Sequence, residues 1–179
     1  MVGLLPPGLV EIAGRIALKN PSVALCEATP DDERFLRDLF VQVRGPEFAA
    51  AGLPDAMVAQ LLGQQYRAQQ AGYATAFPQA SSLVILHASE RVGRVLFAAR
   101  SSDTGWTLHL IDIAISPSRQ GHGLGTEVIE ALARAARAEG AVGLSLSVLS
   151  TNTKARRLYE RLGFVETEAG VHTAMIKHL

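Results

Sequence analysis

The stretch from Ile111 to Thr126 constrains the fold of this chain more than any other. It reads I-D-I-A-I-S-P-S-R-Q-G-H-G-L-G-T, and an amphipathic pattern from Glu127 to Arg137 follows at once. The apolar run predicts a β-strand, the glycines predict a turn, and the last segment predicts an α-helix. A unit of strand, glycine turn and helix directs several backbone N–H groups and a helix N-terminus at one point. Such a point suits a phosphate group.

Two familiar phosphate loops do not match this turn. A P-loop needs a lysine after its last glycine, and the dinucleotide fingerprint needs G-x-G-x-x-G, whereas the spacing here is G-x-G-x-G. The alternative is a tight turn between strand and helix that binds nothing. Glycines this dense are costly unless something approaches the backbone closely, so we favour an anion site.

Length and charge narrow the class of protein. The chain has 179 residues, 48% of them hydrophobic, which predicts one globular domain. Lys and Arg total 17, as do Asp and Glu. This balance indicates neither a nucleic acid nor a membrane as a partner, and it makes a homodimer plausible.

Cysteine and histidine usage narrows the class of protein further. The single cysteine, Cys26, excludes an internal disulfide, and the scattered histidines show no metal-ligand spacing. We interpret Cys26 as a small packed residue of a strand rather than a reactive thiol. No signal peptide or spanning segment is recognisable, so we expect a cytoplasmic protein without a metal.

The order of predicted elements is β, α, α, β, β, β, α, β, α, β, which indicates an α/β (α+β) fold. Residues 1–20, rich in Pro and Gly at their start, are predicted to be a loosely held N-terminal extension, and residues 21–179 a single domain. Thr29 and Asp32 form a capping box that starts the first long helix, and Gly45-Pro46 is predicted to end it. A second helix is predicted from Pro54 to about Ala71, with Met57 among its inward residues.

Two motifs resemble the GNAT acyltransferase superfamily. Gln120 to Gly125 fits its Q/R-x-x-G-x-G/A signature, and Asn152, Ala155 and Tyr159 followed by Leu162-Gly163-Phe164 fit its second block. The resemblance covers the chain from about Ser22 onward. It implies a mixed, mostly antiparallel sheet of six to seven strands with helices on both faces, splayed between the fourth and fifth strands. It also implies acetyl-CoA in the resulting gap and direct acetyl transfer to a primary amine in a ternary complex.

The resemblance places the coenzyme on particular residues. The pyrophosphate is expected on the N–H groups of the loop and the helix N-terminus, and pantetheine is expected to pair with the preceding strand like an added strand. Asn152 is expected beside the pantetheine arm. Arg119 and His122 either assist around the phosphates or are simply exposed. The predicted coenzyme-binding residues are Ile113, Ala114, Ile115, Gln120, Gly121, His122, Gly123, Leu124, Gly125, Thr126 and Asn152.

Three residues are candidates for catalysis. Tyr159 is predicted to donate a proton to the leaving thiolate, although a core tyrosine is the alternative. An attacking amine must lose a proton, and His109 or Asp112 could accept it. Because they are three residues apart on one strand, we expect them on opposite faces, so that only one meets the substrate. Either could instead be structural.

The main alternative to an N-acetyltransferase is a non-catalytic acyl-CoA-binding module of the same fold, and a general nucleotide binder is a third hypothesis. The presence of Asn152 and Tyr159 argues against the non-catalytic module. The acceptor carries no sequence motif. Glu47 and Asp55 could hold an ammonium group, but solvated loop charges are the simpler interpretation.

Overall fold

The computed structural model describes residues 8–49, 52–102 and 105–179. Its centre is one seven-stranded sheet in the order β1-β2-β3-β4-β5-β7-β6, in which only the β4–β5 pair is parallel. The strands are β1 Val23–Glu27, β2 Ser81–His87, β3 Glu90–Ser102, β4 Gly105–Ile115, β5 Gly143–Leu149, β6 Val165–Glu168 and β7 His172–His178. This is the mixed, mostly antiparallel sheet that the resemblance implies.

The helices are α1 Leu9–Gly14, α2 Glu33–Ala49, α3 Asp55–Ala76, α4 Leu124–Ala138 and α5 Thr153–Arg161. Helix α4 packs on β4 and β5, whereas α2 packs on α3 and on β3 and β4. Residues of α4 belong to the main hydrophobic core, and those of α2 and α3 lie outside it. The helices therefore cover both faces of the sheet. None of them, within the described ranges, is long and apolar enough to span a membrane.

The first long helix differs from its prediction at one end. The Asp32 carboxylate accepts a hydrogen bond from the Thr29 N–H at 2.9 Å, as the capping box predicts. However, α2 runs through Pro46 to Ala49, so the predicted stop at Gly45-Pro46 is wrong. Proline removes one helical hydrogen bond, and packing against α3 and the sheet outweighs that loss.

Helix α3 is longer than predicted and is less buried at its start. It continues to Ala76, and its fully buried residues are Leu62 and Tyr66. Met57 is 49% exposed, which contradicts its predicted inward position. The sequence therefore underestimated the length of α3.

Residues 8–20 pack against the domain. Ile12 of α1 is completely buried in the main core, and the Asn20 N–H donates to the Glu127 carboxylate of α4 at 2.6 Å. This packing differs from the loosely held extension that we expected. The reason is an apolar face on α1 that the surrounding Pro and Gly residues conceal in the sequence. The division of the chain at residue 20 stays a prediction.

Strands β4 and β5 diverge halfway along their length. They pair only from Thr107 to Leu110 on β4 and from Gly143 to Leu146 on β5. Beyond that point, β4 continues along β3 and β5 continues along β7. The splay expected between the fourth and fifth strands is confirmed, and it opens a gap in the middle of the sheet.

A β-bulge in β4 changes which side chains face this gap. Leu96 of β3 pairs with Asp112, and the next residue, Phe97, pairs with Leu110, so Ile111 has no partner. An extra residue shifts the alternation of side chains along a strand. His109 and Asp112 pair with Ala98 and Leu96, which share one face of β3, so both point to the same face. Our expectation of opposite faces is wrong because the simple period of two ignores the bulge.

Candidate active site

The glycine loop forms a ring of unused hydrogen-bond donors. Gly121 and Gly123 both have φ of +81°, a conformation that favours glycine, and Gly123 is the N-cap of α4. The first helical bond runs from the Glu127 N–H to the Gly123 carbonyl at 3.0 Å. No described residue accepts a hydrogen bond from the N–H groups of residues 121–126. These donors, together with the positive end of the α4 dipole, can bind an anion.

Gln120 has a different position from the other loop residues. Its Nε2 donates to the Ile115 carbonyl at 2.9 Å and so ties the loop back to the end of β4. The side chain thereby fixes the loop relative to the strand. Its predicted contact with a coenzyme stays a prediction.

A groove of about 580 Å³ begins at this loop. Three cations contribute to its wall: Arg119, Lys154 and Arg161. Arg119 forms an ion pair with Glu90 at 2.9 Å, so its charge is partly balanced. Lys154 and Arg161 of α5 are the two cations of the groove wall that Glu90 does not balance. His122 is exposed and is not among the residues that line the groove. The predicted loop and strand residues that line it are Ile113, Ala114, Ile115, Gln120, Gly121, Gly123, Leu124, Gly125 and Thr126.

The edge of β4 that faces the gap offers backbone groups to this groove. The Ser116 N–H bonds to Val92 of β3 at 2.8 Å, and hydrogen-bonded pairs alternate along an antiparallel ladder. By that alternation, the backbone of Ala114 bonds to Arg94 of β3. The N–H and C=O groups of Ile113 and the N–H of Ile115 point into the gap. The strand can therefore pair with an amide-containing ligand through Ile113 and Ile115, but not through Ala114.

A second cavity, of about 320 Å³, lies between the diverging strands and the helices α2 and α3. Apolar side chains of α2, including Leu36, Leu39 and Phe40, form one wall. Its charged residues are Arg44, Arg94 and Asp112, and His172 of β7 also lines it. We call it the acceptor cavity, and we call the groove at the glycine loop the coenzyme groove.

Tyr159 stands where the two cavities join. The residues common to both linings are Val43, Ile113, Ala114, Asn152, Ala155 and Tyr159. Tyr159 is 9% exposed, and no described residue forms a hydrogen bond with its hydroxyl. Burial, reinforced by the negative charge of Asp112, raises the pKa of this phenol to about 12. The hydroxyl therefore keeps its proton at neutral pH and can donate it.

Asn152 holds the start of α5. It is the N-cap residue, and its Oδ1 accepts a hydrogen bond from the Ala155 N–H at 3.1 Å. The amide group keeps its two N–H donors for a ligand at the junction of the cavities. Its capping role explains why Asn152 and Tyr159 lie at the same junction, since the cap fixes where the helix begins.

Asp112 forms an ion pair inside the acceptor cavity. Its Oδ2 lies 2.6 Å from Nη2 of Arg94, whose side chain is only 7% exposed. Arg94 also donates to Gln70 at 3.1 Å and lies 5.8 Å from the ring centre of Tyr73. Two residues of α3 therefore fix the guanidinium, and the guanidinium fixes the carboxylate toward the cavity.

His109 lies on the same face of the sheet as Asp112 but outside both linings. Its ring stacks on Phe77 with centres 5.6 Å apart, and its Nδ1 is 3.0 Å from the Ser145 hydroxyl. Burial, with a smaller effect of the Arg100 charge, lowers its pKa to about 4. This geometry favours the structural interpretation of His109.

Sequence reasoning missed several residues of these cavities. Arg94 is a charged residue inside the apolar run Val92 to Phe97, and a buried charge needs a partner, so this pattern was a usable signal. Lys154 and Arg161 are seven residues apart on α5, about two helical turns, and therefore share a face. Arg44 gave no signal. Glu47 lines the coenzyme groove and pairs with Arg44, whereas Asp55 is exposed and lines neither cavity.

Comparison with known proteins identifies the family. The sequence pattern of the Acetyltransferase (GNAT) family matches residues 52–164, which is more than half of the chain. The chain belongs to the GNAT acetyltransferase family. The matched range contains the glycine loop, Asn152 and Tyr159, so the two motifs that suggested this family fall within it.

Curated relatives match over shorter segments. A thialysine N-epsilon-acetyltransferase of Mus musculus is 40% identical over 63 residues, which are 35% of this chain and 37% of that protein. N-alpha-acetyltransferase 40 of Saccharomyces cerevisiae is 38% identical over 64 residues, which are 32% of this chain and 22% of the relative. The match thus spans only 22% to 37% of the length of these relatives.

Solved structures show the same fold over most of the chain. The PaiA N-acetyltransferase of Thermoplasma acidophilum, solved in complex with coenzyme A, aligns with 88% of this chain and 99% of its own. The TM-score is 0.67 and the sequence identity is 13%. At that identity the likeness concerns the fold alone.

No metal site accompanies these cavities in the described part of the chain. Within residues 8–49, 52–102 and 105–179, no three His, Cys, Asp or Glu side chains come together as a set of ligands.

Proposed function

We propose that this protein transfers an acetyl group from acetyl-CoA to a primary amine by direct attack in a ternary complex. One observation carries the proposal: the coenzyme groove and the acceptor cavity meet at Tyr159. Two substrates bound in these cavities would have their reactive ends at the same place. Acetyl-CoA supplies an acyl group that is already activated as a thioester.

The coenzyme groove fits the parts of acetyl-CoA in order. The free N–H groups of residues 121–126 and the N-terminus of α4 suit the pyrophosphate, and Lys154 and Arg161 add positive charge for its phosphates. The exposed edge of β4 suits the amides of pantetheine, through Ile113 and Ile115. Asn152 can donate its amide protons beside the same arm. The thiol end would then lie at the junction near Tyr159.

Tyr159 is proposed as the general acid. Its pKa of about 12 keeps the hydroxyl protonated at neutral pH, and the structure gives that hydroxyl no competing partner among the described residues. It can donate its proton to the sulfur as the thiol leaves. A tyrosine that served only the core would need no position at the mouth of both cavities.

Asp112 is the better candidate for accepting the proton of the amine. Its carboxylate lies in the wall of the acceptor cavity, whereas His109 lies outside it. The lowered pKa of His109 also makes this imidazole a weak base. We retain Asp112, acting directly or through water, in this role.

The test compares turnover with coenzyme affinity in Tyr159→Phe. Free thiol released from acetyl-CoA in the presence of a panel of amines measures turnover, and calorimetry with CoA measures affinity. We expect kcat to fall by about 100- to 10,000-fold, as loss of a general acid does, with CoA affinity changed little. Tyr73→Phe is the matched comparison, since that phenol lines the acceptor cavity but not the coenzyme groove. This substitution should change mainly the KM for the amine.

Two results would contradict this function. Tight binding of CoA without release of thiol from acetyl-CoA in the presence of any amine would favour the non-catalytic acyl-CoA-binding module. Equal loss of turnover and affinity in Tyr159→Phe would mean that the hydroxyl binds the coenzyme rather than donating a proton.

A further inference from the structure

The acceptor cavity carries more positive than negative charge. Its lining contains two guanidinium groups, from Arg44 and Arg94, and one carboxylate, from Asp112. The carboxylate is already paired with Arg94. An amine acceptor is itself a cation before it reacts, so a cavity with excess positive charge would repel a simple amine.

Glu47 balances this excess only weakly. It lies 3.3 Å from Nη1 of Arg44, but its side chain is 62% exposed and lies on the side of the coenzyme groove. Exposed ion pairs of this kind contribute little, because water screens both charges. Arg44 therefore retains most of its capacity to bind a second anion.

The unsatisfied polar atoms around the cavity are donors. Nε of Arg44 is buried and has no hydrogen-bond partner. Gln70, which fixes Arg94 through its carbonyl oxygen, has a buried Nε2 that is also without a partner. Leaving a buried donor unpaired is costly, and Arg44, which lines the cavity, and Gln70, which holds Arg94 from outside the lining, both lack an acceptor. Arg94 uses only two of its five N–H donors in the bonds to Gln70 and Asp112.

A carboxylate on the substrate would supply both the negative charge and the hydrogen-bond acceptors that the cavity lacks. It accepts up to four hydrogen bonds and is matched in shape by a guanidinium. Asp112 would meet the ammonium group of the same molecule close to Tyr159. The cavity volume of about 320 Å³ lies at the small end of ligand pockets and suits a molecule of the size of an amino acid.

We propose that the acceptor is a small amino acid-like molecule, whose carboxylate is bound by Arg44 with Arg94 and whose amine faces Asp112. This inference rests on the proposed acetyl transfer and names the class of its substrate. In the reaction, the amine nitrogen forms a bond to the acetyl carbon, the bond from that carbon to sulfur breaks, and one proton of the amine is lost as the thiol gains one. The carboxylate takes no part in the bonds that change.

The experiment uses pairs of acceptors that differ only by a carboxyl group. Alanine is compared with ethylamine, γ-aminobutyrate with propylamine, and lysine with cadaverine, each by kcat/KM from thiol release. We expect the carboxylated member of at least one pair to be favoured by about 10-fold or more, the value of one charge-assisted hydrogen bond of about 1.5–3 kcal/mol. The preferred pair also reports the spacing between amine and carboxylate.

Substitution of Arg44 then tests the assigned residue. In Arg44→Gln the ratio of kcat/KM within the preferred pair should fall by about 10-fold, and Arg44→Lys should restore part of it because a charge returns. Arg34→Gln is the matched control: Arg34 lies on the same helix, its side chain is 88% exposed, and it lines neither cavity. It should leave every ratio unchanged. Urea unfolding of each variant checks that the fold is intact.

Three outcomes would overturn the inference. Equal or better activity of the simple amine in every pair would exclude a carboxylate site while leaving acetyl transfer established. Activity confined to short peptides, assayed alongside the pairs, would mean a macromolecular acceptor. An unchanged ratio in a folded Arg44→Gln variant would remove Arg44 from the site. Absence of thiol release with all amines and amino acids would instead refute the proposed function itself.

Discussion

Replacing Gly125 by alanine should stabilise the fold and, at the same time, weaken coenzyme binding. Gly125 lies in the first turn of α4 and lines the coenzyme groove. A Cβ built there meets no atom within 4 Å apart from its chain neighbours and the backbone of its own helix, and the backbone of Gly125 is not in the left-handed region. Packing within the chain therefore gives no reason for a glycine at this position. Approach of a ligand to the backbone does give one.

The two effects have different magnitudes. Glycine in a helix is less stable than alanine by about 0.5–1 kcal/mol, so the variant should unfold at slightly higher urea concentration. The new methyl group lies over the N–H groups that are proposed to bind pyrophosphate. Losing one charge-assisted hydrogen bond costs about 1.5–3 kcal/mol, which is about a 10- to 100-fold weaker affinity for CoA.

The assay measures both quantities on the same samples, with urea unfolding for stability and calorimetry for CoA affinity. Gly72→Ala is the matched control, since Gly72 is an exposed glycine inside α3 with no atom within 4 Å of its Cβ. It should gain similar stability and keep its affinity for CoA. Gly123 makes a poorer test because its φ of +81° means that any substitution also strains the loop. A Gly125→Ala variant that binds CoA as tightly as the natural protein would refute the placement of the pyrophosphate at this turn.

Two further predictions concern stability. The pKa of His109 is 6.5 in the unfolded chain and about 4 in the folded protein, so between these pH values the unfolded chain binds the proton more readily. The resulting contribution to the free energy of unfolding, about 3 kcal/mol, is present above pH 6.5 and is lost as the pH falls toward 4. Urea unfolding at several pH values should therefore show a shallower acid loss in His109→Gln, and parallel profiles would contradict the burial argument. Ile12→Ala should cost about 2–5 kcal/mol if α1 belongs to the core, whereas a loss near zero would mean that residues 8–20 are a detached extension.

The glycine loop was predictable from the sequence because it depends on main-chain geometry. A run such as Gln120 to Thr126 restricts its own φ angles, and the helix that follows directs the free N–H groups, so a local pattern determines the binding surface. The same holds for Asn152, whose cap fixes the start of α5 and hence the position of Tyr159. These features need few contacts between distant segments.

The bulge at Ile111 shows where such local reasoning fails. Nothing in the composition of β4 distinguishes a regular strand from one that has an extra residue, because the bulge exists only relative to the pairing with β3. One missed residue reverses the side chains beyond it. The sequence therefore named His109 and Asp112 correctly as neighbours on one strand but misplaced them relative to each other.

The acceptor side depends on contacts that no local pattern records. Arg44 comes from α2, Gln70 from α3, and Arg94 and Asp112 from two neighbouring strands, so the charge of the cavity exists only once these elements have packed. A net charge of zero over the whole chain conceals this local excess. In the proposed function, the coenzyme would be bound largely by backbone, which tolerates changes of side chain, whereas the acceptor would be bound by side chains that only the packing of helices and strands brings together. Substitutions on α2 and α3 can therefore change which amine is accepted while the loop, Asn152 and Tyr159 stay as they are.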